Sequence, residues 1–292
     1  PPADPYAPNF RSWLADRFRG DAADLLANRG NGIGLTVGNE ETWGWVSNPA
    51  TKYQIPTAAL NAPMSQPAKG PMLALLKKRY GGSIRKLAAA WGTNWTSWAP
   101  LEGTNALAFD PNPSAAKKAD LSALLSAYAQ QYFSTIRTAL NDIGYKGLWL
   151  GTRESMDLVP DEVLYAQSRF VDAHTINLYN LEDANWARVT RLTKPVFLSE
   201  FSFSAVDRGL STPDKRFECD NQAERGRRIR SYLDKAAGAK NVVGAWFFQY
   251  SDEIVTGRPS DDERMNLGLV DITDTPYPEI TGTFRAFALT LP

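Results

Sequence analysis

The chain has 292 residues, of which 43% are hydrophobic and 22% charged, an ordinary composition for one large globular domain or two small ones. Its 32 basic residues are balanced by 32 acidic ones. The basic excess that holds nucleic acid or an anionic membrane surface is therefore lacking. A neutral partner bound by stacking and hydrogen bonds suits this balance better.

Cysteine and histidine are each present once, as Cys219 and His174. One cysteine excludes an intramolecular disulfide, and one histidine argues against a histidine-based zinc site. His174 lies in the apolar run AHTINLY, where a structural role is favoured over a Ser-His triad. We expect neither a metal nor a cofactor.

Targeting and membrane signals are not evident in the sequence. No apolar stretch reaches the length of a membrane span. The first residues, PPADPYAPNF, lack a charged region followed by an apolar run, so we do not read them as a signal peptide. The composition also includes nine Trp, eleven Tyr and thirteen Phe. Most should lie in the core, but aromatic planes also bind the flat C–H faces of sugar rings.

Apolar spacing predicts the elements of the first half in chain order. These are a helix, a buried strand and two short helices, at 8–28, Ile33–Val37, 72–79 and 83–91. Residues 92–119 hold Gly, Pro, Asn and Trp without periodicity and predict a long irregular insertion. A strong helix should follow, with Asp120 as its N-cap and Gly144 just beyond its end.

The second half alternates short apolar strands with amphipathic helices. Strands are predicted at Leu148–Leu150, Thr175–Tyr179, Pro195–Leu198 and Val242–Phe248, and helices at 161–170, 182–192, 221–238 and 279–289. This alternation predicts a parallel sheet with helical crossovers. The nearest approach to a phosphate loop, GNGIG, precedes a strand instead of following one, which excludes a dinucleotide site.

Two glutamates directly follow predicted strands, Glu40 after Gly38-Asn39 and Glu200 after Ser199. In parallel α/β folds the active site lies at the carboxyl ends of the strands. Two such carboxyls without metal ligands beside them suit glycosidic bond cleavage. That reaction needs one protonated carboxyl for the leaving oxygen and one carboxylate for the anomeric carbon or a water.

The placement of Asn39-Glu40 after one strand, with Glu200 three strands later, resembles the clan A barrel glycosidases. Further segments carry the resemblance: RYGGSIRKLAAAWGTNWTSW, DLSALLSAYAQQYFSTIRTAL, GLWLGTR, KPVFLSEFSF, and WFFQYSDEIVTGR with NLGLVDITDTPYPE. They run through nearly the whole chain in order. The resemblance is strongest to the family 50 beta-agarases, which are related to the family 42 beta-galactosidases.

This resemblance implies a (β/α)₈ TIM-barrel fold of which the chain supplies strands 4–8, beginning near Ile33, and lacks strands 1–3. Residues 1–292 would form the catalytic barrel portion, with an inserted subdomain or loop at about 41–119. The rest of the barrel would come from a separate segment. The resemblance further implies a secreted or periplasmic protein.

The resemblance also assigns roles to residues. Glu40 matches the acid/base and Glu200 the nucleophile of a retaining mechanism. Asn39 matches a residue that binds the sugar 2-hydroxyl, and Tyr179 one whose hydroxyl contacts the nucleophile. Further substrate-binding candidates are Trp43, Arg153, Trp246, Phe247 and Asn266. The chain departs from the family pattern at Gly38 and Glu41, and at Trp246-Phe247, where the family has His-Trp.

The sequence is compatible with three functions. The first is a beta-agarase that cleaves β-1,4-galactosidic bonds of a neutral galactan. The second is a beta-galactosidase or a hydrolase of another algal galactan; the charge balance disfavours sulfated carrageenan. The third is a carbohydrate-binding pseudoenzyme, which the presence of both Glu40 and Glu200 disfavours.

Overall fold

The computed structural model describes residues 2–21, 23, 32–210 and 215–291. The chain divides into two compact units, Pro1–Ala173 and His174–Pro292, here called unit 1 and unit 2. Both combine helices with short parallel strands, so the predicted mixed α/β class with parallel sheets is confirmed. Within the described residues, none of the helices has both the length and the apolarity that crossing a bilayer requires.

Unit 1 is mainly helical. Its elements are α1 Phe10–Asp21, β1 Gly34–Leu35, α2 Pro49–Lys52, α3 Gln54–Asn61, α4 Lys69–Arg79, α5 Ile84–Trp91, α6 Ala99–Glu102, α7 Ala115–Asp142, β2 Leu148–Trp149, β3 Glu154–Ser155 and α8 Asp161–Gln167. The two-residue strands β1 and β2 pair in parallel.

The 28-residue helix α7 provides the core of unit 1. Its buried apolar residues recur at helical spacing: Leu121, Leu124, Leu125, Tyr128, Ala129, Tyr132, Phe133, Ile136, Ala139 and Leu140. Helix α1 packs on it through Phe10, whose ring stacks on Tyr132 with centroids 5.6 Å apart. Burial of this apolar face is the main source of the helix's stability.

Asp120 is not the N-cap of α7, and that prediction is wrong. The helix begins at Ala115, and its cap is Ser114, whose side chain accepts a hydrogen bond from the Lys117 amide at 3.2 Å. The buried Asp120 carboxylate instead accepts three hydrogen bonds, from Arg79 Nε at 2.6 Å, Tyr80 Oη at 2.5 Å and Trp91 Nε1 at 2.8 Å. A buried carboxylate requires such partners, and here it ties α4 and α5 to α7.

Segment 92–119 is more regular than predicted, because it contains α6 and the first turn of α7. Helices α2 and α3 were not predicted either. The helix predicted over 8–28 is confirmed for Phe10–Asp21. The end of that prediction, residues 22–28, lies outside the described residues except for residue 23.

Unit 2 alternates strands with helices as predicted. Its elements are β4 His174–Asn177, α9 Asp183–Thr190, β5 Val196–Phe201, β6 Ser204–Ala205, β7 Glu218–Cys219, α10 Gln222–Gly238, β8 Val242–Phe247 and α11 Pro278–Ala288. Strand β5 lies between β4 and β8 and pairs with both in parallel. Each of the five predicted strands therefore has a counterpart, and β3, β6 and β7 are additional.

Tyr232 of α10 forms the centre of the unit 2 core. It is fully buried, and its ring stacks on Phe201 of β5 with centroids 4.2 Å apart. Trp186 of α9 meets the same ring edge-on at 5.2 Å. The Tyr232 hydroxyl donates a hydrogen bond to the Leu178 carbonyl at 2.8 Å, so the buried phenol is satisfied and the two helices are fixed on the sheet.

Candidate active site

The segment that carries Glu40 continues the pairing of β1 with β2. The Val37 amide donates to the Gly151 carbonyl at 2.9 Å, and the Glu40 amide donates to the Arg153 carbonyl at 3.0 Å. Glu40 and Arg153 are therefore backbone neighbours at the carboxyl ends of two parallel strands. This is the edge of a parallel sheet at which ligands bind.

Both strand ends turn through the left-handed backbone region. Gly38 has φ +85° and Gly151 has φ +87°, and each is followed two residues later by a charged residue with positive φ. Glu40 has φ +50° and Arg153 has φ +34°. Positive φ is uncommon outside glycine, and such strain persists where the surroundings impose it, often at functional sites. Both side chains therefore stay candidates on geometric grounds.

The neighbours of Glu40 face different surroundings. Asn39 is exposed and Glu40 is half-buried, which suits a pair that meets a substrate. The Glu41 carboxylate instead acts on the unit 1 interior, where it contributes to raising the pKa of both Tyr132 and Glu154. Glu41, where the chain departs from the family pattern, thus acts on buried groups of unit 1.

Glu154 is a fully buried carboxyl that the sequence interpretation did not assign to the site. Burial is the main cause that raises its pKa to about 8, and Glu41 adds to the rise. Its Oε1 accepts hydrogen bonds from the Thr152 hydroxyl and from Gln167 Nε2, the latter at 3.1 Å. Its place directly after Arg153 at a strand end was visible in the sequence, but its burial was not.

Trp43 does not line a cleft, and its prediction as a substrate-binding residue is wrong. Its side chain is fully buried. Its ring packs edge-on against Tyr132 at 5.3 Å and lies 5.6 Å from Phe133, both on α7. An indole enclosed by aromatic rings cannot offer a face to a sugar, so Trp43 belongs to the core of unit 1.

Glu200 lies near the end of β5, beside residues from the end of β4. The Tyr179 hydroxyl donates a hydrogen bond to Glu200 Oε2 at 2.6 Å. This is the contact that the family resemblance implies. Next to it, Ser199 Oγ donates to Asn177 Oδ1 at 2.7 Å, with both side chains buried.

The Tyr179 ring is itself held in place by aromatic neighbours. Phe217 lies 6.0 Å away and Phe248 lies 6.4 Å away, centroid to centroid. A half-buried phenol fixed in this way directs its O–H at one carboxylate oxygen. Glu200 therefore has a set orientation before any substrate arrives.

The aromatic pair of β8 divides between two environments. Trp246 is 42% exposed and stacks on Phe197 with centroids 5.4 Å apart, so part of its ring is accessible. Phe247 packs edge-on against Phe201 at 5.5 Å and against Phe284 of α11 at 5.1 Å. Phe247 is half-buried, so its binding role stays a prediction, as does that of the more exposed Trp246.

Asn266 is also a structural residue and not a substrate contact, which corrects its prediction. Its amide is fully buried. Nδ2 donates to both carboxylate oxygens of Asp252, at 2.8 and 2.7 Å, and Oδ1 accepts from Gln222 Nε2 at 2.5 Å. Arg225 donates to the same Oδ1 at 3.4 Å. The amide is saturated within a buried network and has no capacity left for a ligand.

Metal ligands are not grouped in the described part of the chain. No set of three or more His, Cys, Asp or Glu side chains there is arranged to hold an ion. His174 is fully buried, and its pKa is lowered to about 4, mainly by burial and further by Lys194.

Known proteins resemble the chain along nearly its whole length. Beta-agarase A of Vibrio sp. (strain JT0107) is 33% identical over 301 residues, which cover 98% of this chain and 30% of the Vibrio protein. The solved structure of an exo-beta-agarase aligns with a TM-score of 0.88 at 32% identity, covering 98% of this chain and 38% of that one. The resemblance to the family 50 beta-agarases is confirmed.

The solved structure of PfGH50B aligns with the same TM-score of 0.88 at 28% identity, covering 98% of this chain and 40% of that one. No protein-family model matches the chain. The chain spans about a third of the length of the Vibrio beta-agarase that it matches.

Proposed function

We propose that this chain carries the two catalytic carboxyls of a retaining glycoside hydrolase that cleaves β-1,4-galactosidic bonds of agarose or agaro-oligosaccharides. The observation that carries the proposal is the Tyr179–Glu200 hydrogen bond of 2.6 Å at a strand end, in a chain similar to beta-agarases. Glu40, at the end of a second parallel pair of strands, is the proposed acid/base.

The proposed fold is a (β/α)₈ barrel of which this chain forms strands 4–8, with strands 1–3 supplied by another segment. Strand β8 supports this view, because within the described part of unit 2 it pairs with β5 alone. Its residues Val243 and Trp246 are 55% and 42% exposed. In a closed barrel a further strand would cover such an apolar edge.

The first chemical step forms a covalent intermediate. A Glu200 carboxylate oxygen attacks the anomeric carbon while the bond from that carbon to the leaving oxygen breaks. Glu40 transfers its proton to the leaving oxygen, so that the sugar departs as an alcohol and not as an alkoxide. The Tyr179 O–H keeps the Glu200 carboxylate oriented for attack.

The second step releases the product. Glu40, now ionised, takes a proton from water, and the water oxygen attacks the anomeric carbon. The bond between that carbon and Glu200 breaks, which restores both carboxyls and retains the anomeric configuration. Asn39, Arg153, Trp246 and Phe247 are the remaining candidates for contacts with sugar hydroxyls and ring faces.

The proposed substrate is a neutral galactan. The proposed location of the protein is outside the cytoplasm, either secreted or periplasmic. Reducing-sugar release should be compared on agarose, aryl β-galactosides and carrageenan. Release from agarose supports the proposal. Release confined to aryl galactosides or carrageenan would indicate another galactan hydrolase, and binding of agarose without release would indicate a pseudoenzyme.

A further inference from the structure

Arg228 of α10 holds a segment of backbone that follows β5, the strand of Glu200. Its Nη1 donates a hydrogen bond to the Glu218 carbonyl at 2.6 Å, and its Nη2 donates to the Arg216 carbonyl. These two carbonyls lie on either side of Phe217 in the chain. One guanidinium group therefore fixes the backbone both before and after that aromatic residue.

The Phe217 carbonyl is held as well. It accepts a hydrogen bond from the Ser204 amide at 2.9 Å, next to the parallel pairing of β6 with β7. All three carbonyls of residues 216–218 thus have donors. Strands β6 and β7 contain only two residues each, and so short a pair is weak by itself. The charge-assisted hydrogen bonds from Arg228 are therefore an important part of what keeps this segment in place.

The guanidinium of Arg228 is itself oriented by an aromatic ring. It lies over Phe203, 4.6 Å from the ring centroid. Phe203 is fully buried, and its carbonyl accepts a hydrogen bond from Arg225 Nε at 2.6 Å. A planar guanidinium can stack on a ring and direct two N–H groups at two carbonyls at once, which the ammonium group of a lysine cannot do.

The segment that Arg228 holds carries a ring to the proposed nucleophile. Phe217 is half-buried, and its ring centroid lies 6.0 Å from that of Tyr179. The Tyr179 hydroxyl donates to Glu200 Oε2 at 2.6 Å. A continuous series of contacts within unit 2 therefore leads from Arg228 through the backbone of Phe217 and the Tyr179 ring to Glu200.

We propose that Arg228 is a positioning residue for Glu200, acting through Phe217 and Tyr179 and not by contact with the substrate. The inference rests on the proposed role of Glu200 as nucleophile. Without Arg228, the 216–218 segment loses two of its hydrogen bonds, and Phe217 no longer confines the Tyr179 ring. The Tyr179 O–H then points at Glu200 for less of the time, which lowers kcat more than it changes KM.

The test is a double-mutant cycle in the full-length protein, with kcat and KM measured on agaro-oligosaccharides. We expect Arg228→Ala to lower kcat roughly 3- to 10-fold with KM changed much less. In a Tyr179→Phe background the hydroxyl is already gone, so adding Arg228→Ala should cost less than about twofold more. The matched control is Arg230→Ala on the same helix, whose side chain pairs at the surface with Asp234 at 2.9 Å. It should leave kcat within about twofold in both backgrounds.

Two further variants make the test independent of whether Arg228→Ala folds. Arg228→Lys keeps a positive charge but cannot donate to both carbonyls in the same geometry, so its kcat should lie between those of the wild type and Arg228→Ala. It is measured in the same two backgrounds. Phe217→Ala removes a half-buried ring and leaves the backbone carbonyls for Arg228, and it should reproduce the kcat loss of Arg228→Ala.

Equal kcat losses with and without the Tyr179 hydroxyl would show a general structural role for Arg228 and would overturn the inference. So would full activity in Phe217→Ala or in both Arg228 variants. Glu200→Gln reports separately on the proposed function. If that variant keeps near wild-type turnover, Glu200 is not the nucleophile and the proposed function itself fails.

Discussion

At the scale of single residues, the geometry around Glu200 is the best-defined part of the candidate site. Tyr179 donates to one of its oxygens at 2.6 Å, and the Tyr179 ring packs beside those of Phe217 and Phe248. A charge-assisted hydrogen bond of this length is stronger than a neutral one. Its proposed effect is to orient the carboxylate, which matters more for turnover than for substrate binding.

Tyr179→Phe tests this orientation because it removes only the hydroxyl and keeps the ring. We expect kcat on agaro-oligosaccharides to fall on the order of 10- to 100-fold with KM changed much less. The matched control is Tyr165→Phe, whose ring is 50% exposed in unit 1. An unchanged kcat in Tyr179→Phe would show that the phenol has no role in positioning Glu200.

Glu154 gives a second residue-scale prediction, on stability. Its folded pKa is raised to about 8 from an ordinary value of 4.5, so between these values the folded state keeps a proton that the unfolded chain has lost. The contribution to stability is fully present below about pH 4.5 and falls as the pH rises towards 8, by about 1.4 kcal/mol per pH unit.

Glu154→Gln has no such proton to lose. In urea unfolding measured from pH 5 to 8, the difference between its free energy of unfolding and that of the wild type should therefore shift steadily in favour of the variant as the pH rises. Parallel pH dependences for the two proteins would show that Glu154 is ionised in the folded state.

At the scale of elements, the segment after β8 is anchored by buried polar groups. Arg225 of α10 donates to the carbonyls of Phe203 and Gly268 at 2.6 and 2.8 Å. Asn266 joins Asp252 to Gln222, a residue 44 positions away in the chain. Such a network stabilises the fold while every member is satisfied and becomes costly when one is removed.

Asn266→Ala should therefore destabilise unit 2 without a direct effect on chemistry. It leaves the buried Asp252 carboxylate short of donors, at a cost of roughly 2–4 kcal/mol in the free energy of unfolding. Chemical denaturation would measure this cost, with the exposed Asn112→Ala as control. A loss below about 0.5 kcal/mol, the range of ordinary surface substitutions, would contradict the structural role.

The elements that could be predicted from the sequence were those with regular apolar spacing. All five predicted strands and the long helices are present, because periodicity reports burial of one face. The prediction of Asp120 as the N-cap was wrong because the helix already begins at Ala115, with a turn of Ala and Lys residues that precedes its apolar face. Trp43 and Asn266 were misassigned because the sequence shows the type of a residue but not the distant partners that enclose it.

At the scale of the whole molecule, the proposal requires the ends of β1 and β5 to meet in one barrel. We expect the carboxyl groups of Glu40 and Glu200 to lie about 5–5.5 Å apart, the spacing of retaining enzymes. A crystal structure of the full-length protein with a bound oligosaccharide would measure this distance. A separation of about 9 Å would leave room for a water and would indicate inversion.

Trapping of the covalent intermediate would identify the nucleophile by its chemical modification. The full-length protein would be treated with a 2-deoxy-2-fluoro-galactoside bearing a good leaving group, which slows release of the glycosyl-enzyme, and then digested for peptide mass spectrometry. We expect one added glycosyl group, bound as an ester to Glu200 and absent from Glu200→Gln. If the protein turns over agarose but carries no label, or carries the label on a residue other than Glu200, then Glu200 is not the nucleophile of a retaining mechanism.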